Sequence, residues 1–301
     1  MKFLCCGDFH LDEKKPKNRT ESYVKEQKDK ILWILNLAKE ENCHGILQPG
    51  DFCNTSKLSD GFKTQWINIF NHHKIPIYTV PGQHDMRFHS SNIQNTPLGV
   101  LNAADVLEIV CMPLRPGIGS DVVLYGAGWE QDIPTIIGDP TETHILLLHR
   151  MVSSSPLWPG HEGYVTPKWL FNHTDFDLIV CGDNHQSFEV WNEKRCVINC
   201  GSLMRSSIDQ ADHEPFVCIY NTANKSLITH YIDIKPFEEV MHVAEAEKEK
   251  ERNKELEDFV EGLSDTNIEG LDFKKNLIDY LTKNKDVLSK GTIAIIEEVI
   301  G

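Results

Sequence analysis

Short apolar runs alternate with amphipathic segments through the first part of the chain. Three runs have the length and the closing residues of buried strands: Lys2–Cys6, Gly45–Gln48 and Ile75–Val80. Between them, apolar residues recur at helical spacing in two sets, which are Ile31, Leu32, Ile34, Leu35 and Ala38, then Phe62, Trp66, Ile69 and Phe70. Strands and helices that alternate at these lengths predict parallel pairing in an α/β fold.

The later part of the chain continues these runs and then changes in texture. Three further apolar runs have the composition of buried strands: Val122–Tyr125, Ile145–Leu148 and Leu178–Cys181. Thr166 and Pro167 predict the start of a short helix, because proline suits the first helical position. After His185 the strand-like segments are separated by turn residues, and they run from Ser187 to Ile234. We expect an antiparallel run there.

The composition shifts again near Pro236. The stretch Glu245–Glu257 is almost entirely Ala, Glu, Lys, Arg and Asn, which is typical of a solvated helix or a mobile linker. An apolar tail follows at Ile293–Ile300. The predicted organisation is a main domain at 1–236 and a small, mostly helical C-terminal appendage at 237–301.

Charge and cysteine content narrow the functional classes. The chain has 30 Lys and Arg against 45 Asp and Glu, a net charge of −15, which argues against binding nucleic acid through a broad basic face. Its nine cysteines are an odd number and include no CxxC pair, which fits free thiols in a reducing compartment. No apolar run approaches the length of a membrane span. We therefore expect a cytoplasmic protein without a membrane partner.

Oxygen and imidazole side chains follow five of the predicted strands. They are Asp8 and His10, Asp51, then Gln83, His84 and Asp85, then His149, and finally Asp183 and His185. Open α/β sheets place their ligand sites at the carboxyl ends of the strands. A carboxylate has two oxygens that can bridge two cations, and Asp51 is the candidate bridge. The pattern predicts a metal cluster.

These motifs, in this order, resemble those of the calcineurin-like metallophosphoesterases. The resemblance covers residues 1 to about 235 and implies an α/β fold, a two-sheet sandwich flanked by helices, with two divalent metal ions. It implies a first-metal group of Asp8, His10 and His185. It implies a second-metal group of Gln83, His149 and Asp183. Asp51 would bridge the two ions, and a metal-bound hydroxide would attack phosphorus. His84 would be the catalytic acid, oriented by Asp85.

Two positions depart from the pattern of that family. Gln83 stands where the family has Asn, and Asp183 stands where it has His. Both changes fall in the second-metal group and enrich it in oxygen ligands. Such ligands favour Mn²⁺ or Mg²⁺ over Zn²⁺. We expect two Mn²⁺ ions, with Mg²⁺ as the alternative.

Three features are similar to the double-strand-break repair nuclease branch of this family, the SbcD type. They are Ile75–Tyr78 leading into Gly82–Asp85, Arg19 ahead of the first helix, and the segment Asn199–Ser207. The branch implies DNA as substrate and an SMC-like coiled-coil ATPase as partner. The appendage at 237–301 would then bind that partner or serve as a reduced capping region. A homodimer is a further possibility.

Three functions stay open on the sequence. The first is a metal-dependent phosphodiesterase acting as a DNA exonuclease or endonuclease in recombination and repair, which the Gly201–Arg205 segment favours. The second is a phosphatase or small-molecule phosphodiesterase of the same fold, which the acidic charge favours. The third is a non-catalytic scaffold, which the departures from the family pattern at Gln83 and Asp183 favour. Metal analysis and a comparison of nucleic-acid and phosphomonoester substrates separate them.

Overall fold

The computed structural model describes residues 1–157, 161–244 and 248. The chain divides into two units, Met1–Val240 and Met241–Gly301, and the elements given below all belong to the first. The predicted helical appendage at 237–301 lies almost entirely outside the described residues. It stays a prediction, as does the predicted boundary near Pro236.

Eleven strands and five α-helices make up the described part of the chain. The strands are β1 (Lys2–Cys5), β2 (Ile46–Gln48), β3 (Ile77–Thr79), β4 (Glu108–Ile109), β5 (Val122–Ala127), β6 (Thr143–His149), β7 (Leu178–Gly182), β8 (Phe188–Asn192), β9 (Arg195–Asn199), β10 (Phe216–Asn221) and β11 (Ser226–Tyr231). The helices are α1 (Tyr23–Glu40), α2 (Asp60–His73), α3 (Pro97–Ala103), α4 (Pro167–His173) and α5 (Phe237–Val240). A short 3₁₀ helix spans Ile208–Gln210.

These strands form two mixed sheets within the described residues. The first has the order β11-β10-β1-β2-β3-β4, with β1 to β4 parallel and with β10 and β11 antiparallel to their neighbours. The second has the order β5-β6-β7-β9-β8, in which only β8 is antiparallel. The parallel pairing predicted for the first three strands is confirmed.

The predicted antiparallel run after His185 is divided between the two sheets. β8 and β9 form an antiparallel hairpin, but β9 pairs in parallel with β7, where Leu178 faces Cys196. β10 and β11 form a second hairpin that joins β1 in the other sheet. In each hairpin, one strand lies inside its sheet and the other lies at the edge. The inner strands β9 and β10 are buried over most of their length, whereas the edge strands β8 and β11 are half-exposed.

The two sheets pack face to face around a shared core. Side chains from both inner faces meet there, including Phe3, Leu47, Leu124, Leu147, Val180 and Ile198. Fully burying one such aliphatic side chain contributes about 1.5–3 kcal/mol. Helices α1 and α2 cover the outer face of the first sheet, and α4 covers the outer face of the second. The predicted two-sheet sandwich flanked by helices is confirmed.

Local signals explain where the helices begin and end. The hydroxyl of Ser59 accepts a hydrogen bond from the Phe62 N–H at 3.2 Å and caps α2, as the sequence indicates. Asn42, just past α1, has the left-handed φ of 55° that asparagine tolerates at a helix stop. The sequence did not predict α3, although Thr96 caps it through the Gly99 N–H and Pro97 starts it. None of the described helices is long and apolar enough to cross a membrane.

Candidate metal centre

The predicted ligands lie where parallel strands of both sheets end. Asp8 and His10 follow β1, Asp51 follows β2, and His149 is the last residue of β6. The residues 83–85 come shortly after β3, and Asp183 and His185 follow β7. The carboxyl ends of parallel strands lie at one edge of a sheet, so the two sheets together present all five loops at one edge of the sandwich.

The first-metal group converges on one point. The Nε2 atoms of His10 and His185 are 3.0 Å apart, and His185 Nε2 is 3.9 Å from Asp8 Oδ2. One ligand atom from each of these residues lies within 4.8 Å of the others. Carboxylate oxygen and imidazole nitrogen are standard metal ligands. This geometry suits a single cation between the three side chains.

Asp51 lies at the middle of the centre. Its side chain is fully buried, and its Oδ2 faces three imidazoles, at 3.5 Å from His149 Nε2, 3.7 Å from His10 Nε2 and 4.0 Å from His84 Nε2. Its Oδ1 accepts a hydrogen bond from the His84 N–H at 2.9 Å. The carboxylate therefore has one oxygen held by the backbone and one turned toward both candidate groups.

The second-metal group forms a hydrogen-bonded chain. The amide Nε2 of Gln83 donates to Asp183 Oδ1 at 2.8 Å, and its Oε1 lies 2.6 Å from His149 Nε2. The other ring nitrogen of His149, Nδ1, is 2.9 Å from the carbonyl oxygen of Pro49. A carbonyl can only accept, so Nδ1 carries the proton and Nε2 faces the centre. The structure brings all three predicted residues together.

His84 borders the centre at its solvent side. Its Nδ1 donates to the main-chain carbonyl of Asn54 at 2.9 Å, so its Nε2 is the ring nitrogen that faces Asp51. The side chain is 43% exposed, which leaves room for a substrate atom beside it. His84 also belongs to a second set of mutually close ligand atoms with His10 and Asp51. Its position is thus compatible with a proton donor and with a ligand.

Asp85 does not hold the His84 ring, which corrects the predicted role. Its carboxylate accepts from three main-chain N–H groups, those of Phe52 at 3.2 Å, Cys53 at 2.8 Å and Gly82 at 2.9 Å. These bonds tie the loop after β3 to the loop after β2. Asp85 therefore acts on the backbone that carries the site, and the Asn54 carbonyl sets the orientation of the imidazole.

Burial and neighbouring charges shift the pKa values of the titratable groups in the centre. Burial alone would raise the pKa of Asp51, but His149 and His10 hold it at about 2. Burial alone would lower the pKa of His149, but contact with the Asp51 carboxylate raises it to about 10. Burial raises the pKa of Asp8 well above its ordinary value, and the Asp51 charge adds to this rise. Burial also lowers the pKa of His10 to about 3. Such opposed shifts are typical of functional sites.

The residues present fit two divalent cations. Asp8 Oδ1 and Asp51 Oδ2 are buried oxygens with no hydrogen-bond partner among the described residues. Leaving such an oxygen unsatisfied costs about 1–3 kcal/mol or more when it is charged, so a ligand is expected there. Glycines make the space: a Cβ on Gly82 would lie 2.1 Å from Asp51 Oδ1, and one on Gly182 would lie 2.5 Å from Asp8 Oδ1.

Sequence reasoning missed a polar support beneath Asp51. Gln48 is fully buried at the end of β2, and its Oε1 accepts from the Gly50 N–H at 3.1 Å. Its amide nitrogen donates to the Gly50 carbonyl, and the Thr79 hydroxyl donates to its Oε1. The glutamine thus fixes the turn that delivers Asp51, in which Gly50 has a φ of 109°. A polar residue inside an apolar strand was the available signal.

The model of the calcineurin-like phosphoesterase family matches residues 1–187, and the chain belongs to this family. Membership implies a hydrolase of phosphoester bonds, and the family depends on two metals, for which the clusters above are candidate ligands. The predicted family is therefore confirmed. No curated protein matches the sequence.

Several solved structures share parts of the fold at low similarity. An archaeal phosphodiesterase is 14% identical with a TM-score of 0.42, and the match covers 77% of this chain and 100% of that one. A dimetal phosphatase from Danio rerio is 9% identical with a TM-score of 0.47, covering 77% and 95%. The nuclease MPE of Pseudomonas putida is 13% identical with a TM-score of 0.35, covering 72% and 83%. None of these likenesses carries an argument about substrate.

Proposed function

We propose that this protein is a metal-dependent phosphodiesterase that cleaves DNA, a nuclease of the SbcD-type branch. The observation that carries the chemistry is the position of Asp51. Its buried Oδ2 lies within 4.0 Å of the imidazole nitrogens of His10, His84 and His149. A carboxylate shared in this way supports two cations on one phosphate.

The assignment to the branch rests on contacts of the segment Asn199–Ser207. Ser202 forms an isolated parallel β-bridge with Asp8, and the Leu203 N–H donates to the Asp8 carbonyl at 2.9 Å. The Arg205 carbonyl accepts from Arg19, the second residue that carries the resemblance. The two features thus contact each other, and the segment Asn199–Ser207 also contacts the candidate metal ligand Asp8. This arrangement supports the nuclease branch over a small-molecule enzyme.

The residues of this chain divide the work of hydrolysis. The cations, when bound, supply positive charge to the phosphoryl oxygens and lower the pKa of water. As the attacking oxygen bonds to phosphorus, the bond to the leaving sugar oxygen breaks, and that oxygen needs a proton. His84 gives this proton from Nε2, while its Nδ1–H remains hydrogen-bonded to the Asn54 carbonyl. Asp85 and Gln48 hold the loops that carry these groups.

Mn²⁺ is the proposed metal, with Mg²⁺ as the alternative. The centre offers carboxylate oxygens from Asp8 and Asp51 and an amide oxygen from Gln83, beside three imidazoles. Oxygen-rich ligand sets favour these two cations over metals that prefer soft ligands. The imidazole ligands favour Mn²⁺ over Mg²⁺.

One assay tests the proposal. The purified full chain is incubated with single-stranded DNA, double-stranded DNA and a phosphomonoester, each with Mn²⁺, Mg²⁺ or EDTA. We expect cleavage of DNA with Mn²⁺ and none with EDTA. Hydrolysis of the phosphomonoester alone would replace the nuclease by a phosphatase. No hydrolysis of any substrate, with metals bound, would favour the scaffold.

The partners of the protein belong to the same proposal. An SMC-like ATPase would bind the appendage at 237–301, and a second copy of this chain would give a homodimer. Co-purification with a coiled-coil ATPase and light scattering of the isolated chain test these two partners separately.

A further inference from the structure

Two residues that depart from the family pattern touch each other. Gln83 follows β3 in the first sheet and Asp183 follows β7 in the second, yet the Gln83 amide nitrogen donates to Asp183 Oδ1 at 2.8 Å. The family has Asn and His at these positions. The two departures are therefore one contact, made 100 residues apart in sequence.

This contact fixes which way the amide of Gln83 faces. A carboxylate can only accept hydrogen bonds, so the NH₂ group must face Asp183 and the carbonyl must take the other side. The carbonyl oxygen then lies 2.6 Å from His149 Nε2. His149 Nε2 in turn lies 3.5 Å from Asp51 Oδ2. Three ligand atoms, from Gln83, His149 and Asp51, are thereby turned to one place.

The carboxylate of Asp183 is engaged in a different way from those ligands. Asp51 Oδ2 has no hydrogen-bond partner among the described residues, whereas the Oδ1 atom of Asp183 already accepts a hydrogen bond from the Gln83 amide. The Asp183 main-chain N–H donates to Asp8 Oδ2 at 2.9 Å, and the φ of Asp183 is 74°, a left-handed value that aspartate tolerates. Its backbone is thus held by one candidate ligand and its carboxylate by another.

We infer that Asp183 is a positioning residue for Gln83 and does not itself bind a cation. It holds the longer glutamine side chain so that the carbonyl oxygen completes a site with His149 and Asp51. The inference rests on the proposed two-cation centre but does not require DNA to be the substrate. A positioning role leaves the second cation with two oxygens and one imidazole from the protein.

The test measures Mn²⁺ binding to the full chain by titration calorimetry, without any substrate. The variants are Q83A, D183G and the double variant Q83A/D183G; glycine removes the carboxylate and tolerates the left-handed backbone. We expect D183G to weaken the second site about 10–100-fold, the usual effect of losing a group that orients a ligand. Q83A removes the ligand itself and should weaken the site at least as much. The double variant should bind no more than a few-fold more weakly than Q83A.

A ligand role predicts different results. If Asp183 binds the cation itself, its loss must weaken binding again in the Q83A background, by a factor similar to that in the wild type, and this would overturn the inference. D183N supplies a second check, because its side-chain oxygen can still accept from the Gln83 amide. It should stay within a few-fold of the wild type, and a loss as large as that of D183G would contradict a positioning role.

Two controls keep the outcome separate from folding and from the nuclease assignment. D121A removes an exposed aspartate just before β5, at the opposite end of the sheet from the centre, and should bind Mn²⁺ as the wild type does. Circular dichroism checks each variant for native structure. A wild type that binds only one Mn²⁺ overturns the inference, whereas two bound Mn²⁺ without DNA cleavage count against the nuclease alone.

Discussion

Arg19 and Arg205 meet although they are 186 positions apart: Arg19 Nη1 donates to the Arg205 main-chain carbonyl at 2.8 Å. Arg19 is 2% exposed, and its Nη2 donates to Glu26 at 2.7 Å. Arg205 in turn donates to the Lys235 carbonyl and packs over the Phe237 ring, with 5.4 Å from guanidinium carbon to ring centroid. The two arginines join the loop before α1 to the segment Asn199–Ser207, which contacts Asp8.

We predict that Arg19→Ala destabilises the fold. The change leaves the Arg205 carbonyl without this donor, and Glu26 loses its Arg19 partner while its bonds to Ser22 and Lys235 remain. Removing a buried charged donor with two bonds should lower the free energy of unfolding by about 3 kcal/mol. Urea denaturation measures this. Lys25→Ala, which removes an exposed ion pair with Asp29, is the control and should have no measurable effect.

We predict that His84→Ala slows turnover and leaves the metals bound. Loss of a general acid lowers turnover by about 10²–10⁴. The structure makes the alternative explicit, because His84 Nε2 lies 4.0 Å from Asp51 Oδ2, within reach of a cation there. Elemental analysis of dialysed protein decides between the two roles. One metal per chain in the variant against two in the wild type would make His84 a ligand.

We predict that metal binding releases protons and weakens as the pH falls. The Asp51 carboxylate raises the pKa of His149 to about 10, so its ring is charged at neutral pH and a cation must displace the Nε2 proton. Asp8, whose pKa is also raised, acts in the same direction. The apparent affinity should fall about tenfold per pH unit below 10 for each proton displaced.

Calorimetry in two buffers of different ionisation enthalpy measures that release. A difference in observed heat that corresponds to at least one proton per chain is expected at pH 7. Equal heats in the two buffers, together with an affinity that is constant between pH 6 and pH 8, would contradict a charged His149.

The pattern of apolar runs placed the candidate residues at strand ends, which the structure brings together. Asp8, Asp51 and Asp183 each follow an apolar run, and strands that run in parallel bring such ends together whatever the loops between them do. The orientation of His84 was beyond prediction, because its partner is the main-chain carbonyl of Asn54, which every residue type possesses. Sequence distance also hid the bond from Gln83 to Asp183, since it links ends of different sheets.

The strands after His185 likewise depend partly on nearby residues, which the sequence shows, and partly on partners far away in the chain, which it does not show. The turn residues after His185 predicted an antiparallel run, and antiparallel hairpins form at β8–β9 and β10–β11. Which sheet each hairpin joins depends on partners far away in the chain, β7 for the first and β1 for the second. α3 was missed because seven residues that include Gly99 give too little helical periodicity.

We predict that Gly82→Ala abolishes metal binding at Asp51. A Cβ at this position would lie 2.1 Å from Asp51 Oδ1 and 2.3 Å from the Asp51 main-chain nitrogen, so the carboxylate or its backbone must move. Cation affinity depends on the precise positions of the ligand atoms. If the Asp51 carboxylate moves, each of the two cation sites loses an oxygen ligand. Gly61→Ala is the matched control, because a Cβ there meets nothing within 4 Å. Gly61 lies in the first turn of α2, where alanine should stabilise the chain by up to about 1 kcal/mol.

The measurement is the rise in melting temperature when Mn²⁺ is added at about 100 times its dissociation constant. For a protein that binds the ion only when folded, this concentration stabilises the folded state by about 2.7 kcal/mol per site. The wild type and Gly61→Ala should show this rise, and Gly82→Ala should not. A full Mn²⁺-dependent rise in Gly82→Ala would show that Asp51 does not bind the cations.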